Sequence, residues 1–489
     1  MRKATTSPSF ARASGTVTAL AALGLLLTGC GGGESSSSAN PAVQTVNSPA
    51  QIARESAENY HDNVNGLITG QTLMRWIDDW QNNRPDGIDG RLVILQVTQG
   101  TEGNEYITPK PQEGVLTYRI DDNRLTQVRS NGVIETVQMV PDGPSVDSIL
   151  KDYNLDPRND MIVWVVADGG FGNLMRQGRA WYMMRYWGTP HDNLALLNGL
   201  AVHDAVMDQS YLGSVATCDE LVSNGNCLPR NGTVSVRDLP EDNISLQATV
   251  EDVIRVADGH DDAFIWDARS QNEYTAWTGV RDGRHRGIDF RANASMQGHP
   301  NGAVVLPYAN MLMSDGTLRY KPKDQLWAYM NGEQVDGAMF ERYEAGSLIP
   351  VGPGNAYQAG QDSITYCETT FRAMITGFAT AAILGLPNRF YDGAMVEWNS
   401  LSGGVQDKFG SFILPADSPW RTDLPMRSHF EYNTPADIDS RDIQDAYADR
   451  TNAVVSADRN YRMNIGGGTG GGAGGDDGGV APPANPCGG

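Results

Sequence analysis

The chain has 489 residues, and its 59 acidic against 37 basic side chains give a formal net charge of -22 at neutral pH. Because nucleic acids and anionic lipid surfaces are themselves negative, this charge argues against a function in binding either. The length is enough for two or three domains, and the surplus of carboxylates otherwise indicates a solvated surface.

The N-terminus has the pattern of an export signal. Arg2, Lys3 and Arg12 precede an apolar run at 17–27, which is too short to span a bilayer as a folded helix. The run ends in Leu-Thr-Gly-Cys30, which resembles the lipobox of bacterial lipoproteins. This resemblance implies that Cys30 is acylated and anchors the mature protein in the cell envelope, on the periplasmic side of the outer membrane. An ordinary secretory signal with an incidental cysteine is the alternative.

Composition divides the chain into segments of different character. A stretch rich in Gly, Ser and Asn follows the signal and is typical of a flexible tether, whereas the Gly-rich end cannot bury a core. We expect a signal peptide at 1–29, a tether at 30–55, an N-terminal α/β domain at 56–240, a C-terminal α/β domain at 241–402, an extension at 403–465 and a disordered tail at 466–489.

The five cysteines differ in their surroundings. An exported protein folds in an oxidising compartment, so Cys218 and Cys227, in a loop-like stretch, are predicted to form a local disulfide. A metal site is the competing interpretation, but no second pair of cysteines or histidines lies at ligand spacing. Cys487 lies in the Gly-rich tail, where its role stays open. Cys367 is therefore the cysteine that is embedded in regular structure.

Apolar runs predict the elements of two α/β units in chain order. The first unit has predicted strands at 91–97 and 161–166 and a helical run at 178–188. The second has helices at 246–257, 323–330 and 373–384 and strands at 263–266, 303–306, 363–366 and 389–391. If Arg179 is matched with Arg372, the position of Cys367 falls on Leu174 in the first unit. The chain then contains two copies of one unit, the first without its cysteine; two unrelated α/β domains are the alternative.

Cys367 lies between a predicted strand and a predicted helix. Such a loop places the sulfur near backbone N–H groups and the positive end of the helix dipole, which favours the reactive thiolate. A small buried hydrophobic residue is the alternative interpretation of this cysteine. The Cys-x4-Arg loop is one residue shorter than the loop of cysteine phosphatases. A smaller ring of amides suits a terminal sulfur atom, so persulfide chemistry is favoured over a phosphatase or an arsenate reductase.

Four motifs together resemble those of two-domain rhodaneses, the thiosulfate or 3-mercaptopyruvate sulfurtransferases. They are Asp267-Ala-Arg269 with Glu273-Tyr274, the run from Gly298-His299 to Ala303, Tyr366-Cys367 to Arg372-Ala373, and Tyr391-Asp392-Gly393 with Glu397-Trp398. The resemblance implies tandem rhodanese-like domains, each a mostly parallel sheet flanked by helices. The first copy, at about 57–204, matches only in outline, as an inactive half would.

The resemblance also implies roles for the residues of the site. Cys367 is the nucleophile that holds a sulfane sulfur as a persulfide, and Arg372 closes the loop. The residues implied in substrate binding through their backbone N–H groups are Glu368, Thr369, Thr370 and Phe371. The residues implied in structural support are Asp267, Arg269 and His299. Substrate contact by Arg269 and a role of His299 as a base are alternatives.

The implied function is transfer of sulfur from a small sulfur-containing donor to a thiophilic acceptor. Glu368 and Glu273, the latter at a position where thiosulfate-preferring members have arginine, put a dianionic donor in doubt. Arginines of the insertion could restore positive potential or form a solvated loop; they are Arg281, Arg284, Arg286 and Arg291. The alternative function is a non-catalytic carrier of sulfur or another chalcogen that serves a membrane redox partner. We expect no nucleotide or metal cofactor, since no motif for either stands out.

Overall fold

The computed structural model describes residues 45–53, 64–98, 105–214, 217, 229–275, 280–281, 284–285, 298–401, 414–430 and 443–464. The expected signal peptide and Gly-rich tail lie outside these residues, as do Cys30, Cys218, Cys227 and Cys487. Within the described ranges, every helix is too short or too polar to cross a membrane.

A five-stranded parallel sheet forms the centre of the N-terminal half. The strands of this half are β1 (Thr45–Val46), β2 (Gly66–Ile68), β3 (Leu92–Thr98), β4 (Tyr106–Ile107), β5 (Val115–Asp121), β6 (Gln127–Ser130), β7 (Glu135–Met139), β8 (Met161–Val166), β9 (Leu194–Leu200) and β10 (Leu212–Gly213). The order in the sheet is β2-β9-β8-β3-β5. Strand β8 is buried along its whole length, as expected for a continuous apolar strand covered on both faces.

Helices cover this sheet on its two faces. They are α2 (Gly70–Asp78), α3 (Trp80–Asn83), α4 (Gly143–Asp152) and α5 (Gly170–Tyr186), whereas α1 (Pro49–Ala53) contacts the C-terminal half. Helix α5 follows β8 and is buried from Asn173 to Tyr186. It begins eight residues before the predicted helical run, because its first turn is rich in glycine and lacks an apolar stripe.

The C-terminal half contains a seven-stranded sheet. The described strands of this half are β11 (Glu241–Asp242), β12 (Gln247–Ala248), β13 (Ala263–Asp267), β14 (Val280–Arg281), β15 (Arg284–His285), β16 (Gly298–Pro300), β17 (Val304–Val305), β18 (Glu341–Glu344), β19 (Ser347–Pro350), β20 (Asp362–Tyr366), β21 (Asn388–Tyr391) and β22 (Ser428–Phe430). The order is β12-β21-β20-β13-β17-β18-β19. The first five strands are parallel, and β18 and β19 extend the sheet in antiparallel fashion.

The helices of this half are α6 (Val250–Ala257), α7 (Gln271–Tyr274), α8 (Lys323–Met330), α9 (Phe371–Phe378), α10 (Ala394–Ser400) and α11 (Ala453–Arg462). Helix α8 has the predicted bounds. Helix α6 begins four residues later than predicted, because Thr249 and Asp252 form a capping box at its start. Helix α9 continues into a π-helical turn at Ala379–Leu384.

The two sheets have the same topology. In each of them the parallel strands lie in the order first, fifth, fourth, second and third along the chain. The prediction of an α/β fold with two mostly parallel sheets flanked by helices is therefore confirmed. The predicted counterpart of Cys367 in the first copy is wrong. Ala167 is the residue that directly follows the fourth strand there, whereas Leu174 lies inside α5.

Helices α5 and α9 pack against each other between the two sheets. Gly178 permits the close approach, since a Cβ atom at this position would lie 2.9 Å from Cβ of Met374. Aromatic rings fill the rest of the contact, with Trp181 in an edge-to-face arrangement against Phe378 at 5.0 Å between centroids. The fold thereby places the helix that follows the cysteine loop in the centre of the molecule.

Helix α11, in the C-terminal extension, packs on the N-terminal half. Asp458 accepts two hydrogen bonds from the guanidinium of Arg129, at 2.9 and 2.6 Å, and a third from the hydroxyl of Tyr186 at 2.6 Å. Asp458 and Tyr186 are buried, and the side chain of Arg129 is 9 % exposed. The contacts give this part of the extension a role in stabilising the fold.

Candidate active site around Cys367

Cys367 directly follows strand β20 and lies one turn before helix α9. Its side chain is fully buried, and its sulfur is present as a thiol. The loop ends at Thr370, which has a left-handed backbone conformation with φ of 65°. A β-branched residue adopts this conformation only when its surroundings impose it. The hydroxyl of Thr370 donates a hydrogen bond shared between the carbonyl oxygens of Tyr391 and Asp392, at 2.9 and 3.0 Å.

The start of helix α10 holds the other side of the loop. The N–H of Met395 donates to the carbonyl oxygen of Cys367, and the N–H of Val396 donates to that of Glu368, both at 3.1 Å. Ala394, the residue directly before Met395, also has a positive φ, of 54°. Two left-handed non-glycine residues thus flank the contact between the loop and α10, which indicates a conformation maintained at a cost in backbone energy.

Asp267 and Arg269 lie behind the loop, at the end of β13. The Arg269 guanidinium donates to both carboxylate oxygens of Asp267, at 2.9 and 2.6 Å, and to the carbonyl oxygen of Gly298 at 2.5 Å. The hydroxyl of Tyr366 donates to Asp267 at 2.8 Å. Burial opposes the charge of Arg269, but the nearby Asp267 outweighs it and raises the pKa of Arg269. This arrangement supports the strand end from which the cysteine loop departs.

Arg372, at the start of α9, is bound by Glu273 of helix α7. Two parallel hydrogen bonds of 2.9 and 2.8 Å connect the guanidinium and the carboxylate. Glu273 also accepts from the hydroxyl of Ser270 at 2.6 Å, as part of the capping box of α7. Burial alone would raise the pKa of Glu273, but the charge of Arg372 outweighs burial and lowers it to about 2. The carboxylate therefore remains ionised at neutral pH and fixes Arg372 in place.

His299 is part of an aromatic stack. Its ring is stacked on that of Tyr274, with 3.7 Å between the ring centroids. Its Nδ1 donates to the Tyr274 carbonyl oxygen at 2.6 Å. Burial lowers the pKa of His299 to about 3. A neutral ring with one nitrogen bonded to the backbone suits the predicted structural role.

The N-terminal half contributes residues that the sequence did not reveal. Arg179 of α5 forms a buried ion pair with Asp392, and the N–H of Val140 donates to the same carboxylate at 2.6 Å. The side-chain amide of Asn131 donates to Glu397 at 2.7 Å. Asp392 and Glu397 belong to the motif that begins at Tyr391, but their partners lie more than 200 positions away in the chain. No local pattern could have identified those partners.

The cysteine loop is closed to solvent in this structure. Residues 367–371 are each no more than 4 % exposed. A cavity of about 760 Å³ lies elsewhere, at the carboxyl ends of β2 and β9, with Arg319 and Tyr320 in its wall. Its lining includes neither Cys367 nor any other cysteine or histidine. We therefore assign the candidate site to the cysteine loop, which carries the buried thiol, and not to this cavity.

Metal-ligating side chains do not gather in the part of the chain that the structure describes. No group of three or more His, Cys, Asp or Glu side chains is close enough there to hold an ion. The side chains of the four arginines in the insertion lie outside what the structure describes.

Comparison with known proteins gives a likeness of fold. No family model matches the chain, and no curated protein matches it. Similar solved structures include Tum1 from Saccharomyces cerevisiae, with 15% identity over 69% of this chain and 95% of that chain and a TM-score of 0.47. The 3-mercaptopyruvate sulfurtransferase from Leishmania major has 14% identity over 68% of this chain and 74% of its own, with a TM-score of 0.41. YnjE has 16% identity over 68% of this chain and 66% of its own, with a TM-score of 0.40. This likeness concerns chain topology and does not specify a reaction.

Proposed function

We propose that the protein is a sulfurtransferase that moves a sulfane sulfur from a small donor to a thiophilic acceptor through a persulfide on Cys367. The observation that carries this proposal is the position of the thiol. It directly follows a central parallel strand, at the start of a buried helix, in a loop that Thr370 and α10 hold in a strained conformation. Backbone N–H groups and the helix dipole at such a site favour a thiolate and stabilise the negative terminal sulfur of a persulfide.

The reaction then has two half-reactions that share one nucleophile. In the first, the Cys367 thiolate attacks the outer sulfur of the donor. A new S–S bond forms while the bond between that sulfur and its carrier breaks, and the carrier leaves with the electron pair. In the second, the acceptor attacks the terminal sulfur, and Cys367 leaves as the thiolate. No external oxidant or reductant is consumed.

The charged pairs around the loop serve the reaction by positioning. Asp267 with Arg269 and Glu273 with Arg372 are buried pairs with several hydrogen bonds each. A loop fixed in this way holds the sulfur and the amides that face it in one geometry, which reduces the entropic cost of reaching the transition state. Because the loop is closed to solvent, a local opening has to precede entry of the donor.

We also propose that the mature protein is a lipoprotein of the cell envelope, anchored through acylated Cys30 on the periplasmic side of the outer membrane. The lipobox-like sequence is what supports this location. Growth with a labelled fatty acid tests it, with the matched variant Cys30→Ser. Label on the wild-type protein alone supports the anchor, and label on neither protein argues against it.

Steady-state kinetics with cyanide as acceptor test the sulfurtransferase function. Varying donor and acceptor together is expected to give the parallel double-reciprocal lines of a ping-pong mechanism, and thiocyanate as the product. The variant Cys367→Ser is expected to lose thiocyanate formation altogether. A Cys367→Ser protein that kept the full wild-type activity would rule the proposal out.

A carrier that takes up sulfur without turnover is the second candidate. The complete burial of Cys367 favours it, because a closed loop protects a persulfide from small nucleophiles. A protein that gains sulfur at Cys367 but yields no thiocyanate would point to this function.

A further inference from the structure

The cavity of about 760 Å³ at the carboxyl ends of β2 and β9 has walls from both halves of the protein. The N-terminal half supplies the first turn of α2 and the loop after β9, and the C-terminal half supplies residues between 313 and 322. The two walls are joined directly, since the N–H of Leu200 donates to the carbonyl oxygen of Thr317 at 3.0 Å. Both the volume and the position at the ends of parallel strands are those of small-molecule sites in α/β folds.

Asn198 of β9 contributes a buried hydrogen-bond donor to this wall. It is 4 % exposed, and its Oδ1 accepts from the N–H of Tyr320 at 2.9 Å. Because a backbone N–H can donate only to the oxygen of an amide, the orientation of the Asn198 side chain is fixed. Its Nδ2 makes no hydrogen bond to the residues that the structure describes. A buried donor in a cavity wall indicates that an acceptor belongs inside the cavity.

The start of helix α2 adds two backbone donors. Thr69 caps this helix by accepting from the N–H of Thr72 at 3.2 Å. The N–H groups of Gly70 and Gln71 come before the first hydrogen bond within the helix and have no partner there. Both residues line the cavity.

Arg319 adds a positive charge beside Asn198. Its guanidinium donates from Nε to Thr317 at 3.1 Å and from Nη2 to Asp315 at 3.0 Å, so the C-terminal half sets its position. Gly199 leaves room for it, since a Cβ atom there would lie 2.8 Å from Cγ of Arg319. Nη1 makes no hydrogen bond within the described ranges and is available to an anion.

The rest of the wall is mostly apolar. It consists of the ring of Tyr320 and the side chains of Met74, Val206, Met207, Met313 and Pro322. Asp204 and Asp208 also line the cavity, and both are exposed. These carboxylates disfavour a ligand that carries a second negative charge.

From these groups we infer that the cavity binds a small monocarboxylic acid with an apolar body. The carboxylate accepts from Nδ2 of Asn198 and from Nη1 of Arg319, which are neighbours because Asn198 is bonded to the residue after Arg319. The positive end of the α2 dipole favours an anion at the same place. The apolar body packs on the methionines and on Tyr320. This site is separate from the cysteine loop and does not depend on sulfur transfer.

Two probes of the same shape test the inference. They are 4-methylpentanoate and 4-methylpentanamide, which differ in the charge at one end. Titration of the purified protein, followed by ligand-observed NMR, gives a dissociation constant for each. We expect 4-methylpentanoate to bind at least about tenfold more tightly than the amide, because its hydrogen bonds are assisted by charge. Equal affinities, or no binding of the acid, overturn the inference.

Variants locate the probe in the cavity. Arg319→Met removes the guanidinium, and Asn198→Asp keeps the acceptor oxygen but puts a negative charge in place of the donor. Each is expected to weaken binding of 4-methylpentanoate at least about tenfold. Arg342→Met is the matched control, since the ion pair of Arg342 is about as exposed as that of Arg319. It is expected to keep the wild-type affinity.

The outcomes separate this inference from the proposed function. Because Asn198→Asp buries a charge and can fail to fold, Arg319→Met is the deciding variant, and wild-type affinity in it overturns the inference. Inorganic phosphate that displaces 4-methylpentanoate as well as the unlabelled acid does would contradict the assignment to a carboxylic acid with an apolar body. Cys367→Ser is expected to bind 4-methylpentanoate as the wild type does, and a loss of binding would show that the two sites are not separate.

Discussion

Arg179 of helix α5 and Asp392, the residue after strand β21, form an ion pair whose two side chains are fully buried. They are 213 positions apart in the chain and lie in different halves of the protein. Asp392 also lies beside the cysteine loop, since its carbonyl oxygen accepts from Thr370. This pair therefore connects the N-terminal half directly to the candidate active site.

Removing one partner of this pair is expected to destabilise the protein strongly. Arg179→Met leaves the Asp392 carboxylate buried without its cation, which costs about 3–5 kcal/mol of the free energy of unfolding. Arg342→Met is the matched control. Its ion pair with Glu344 has side chains 44 % and 57 % exposed, so we expect a loss of at most about 1 kcal/mol. Urea unfolding of both variants provides the measurement, and equal losses would contradict the account.

The hydroxyl of Thr370 is expected to stabilise the loop conformation. Thr370→Val keeps the shape of the side chain but removes the donor, so two buried carbonyl oxygens lose their hydrogen bond. We expect a loss of about 1–3 kcal/mol in the free energy of unfolding, together with a lower rate of sulfur uptake. Thr275→Val serves as the control, because its hydroxyl donates to the carbonyl oxygen of Gln271 within the same short helix and not to another element of the described chain. A Thr370→Val protein as stable and as active as the control would refute this role.

Glu397 is expected to make stability depend on pH in the neutral range. Burial raises the pKa of its carboxyl from 4.5 to about 7. Since the folded state binds the proton more tightly, this group favours folding below the unfolded pKa. That contribution is lost as the pH rises toward the folded pKa, by up to about 3 kcal/mol.

Glu397→Gln tests this dependence, because glutamine can still accept from Asn131 and carries no charge at any pH. We expect the variant to be about as stable as the wild type near pH 5 and more stable near pH 8. Urea unfolding at the two pH values gives the comparison. If the free energy of unfolding decreases equally from the lower to the higher pH in both proteins, Glu397 is not the group responsible.

The burial of Cys367 predicts slow alkylation in the native state. Iodoacetamide is expected to modify Cys367 at least about tenfold more slowly in buffer than in urea, because reaction has to wait for local opening. Peptide mapping distinguishes Cys367 from the other cysteines. Equal rates in the two solvents would mean that the loop is open in solution, in contrast to this structure.

Sequence patterns predicted the fold class and the position of the cysteine loop, because continuous apolar strands and the residues between them are local features. They placed the start of α5 too late and chose Leu174 where the structure has Ala167, since the glycine-rich first turn carries no periodic signal. They also missed the pairing of Arg179 with Asp392 and of Asn131 with Glu397. Those contacts depend on how the two halves pack, which no short segment encodes.

The mass of the intact protein after incubation with a sulfane-sulfur donor is the decisive test of persulfide formation on Cys367. We expect one added sulfur on the wild type, located on Cys367 by fragmentation, discharged by cyanide and absent from Cys367→Ser. A folded wild-type protein with a reduced Cys367 that gains no sulfur from thiosulfate, from 3-mercaptopyruvate or from an aminothiol persulfide would contradict it.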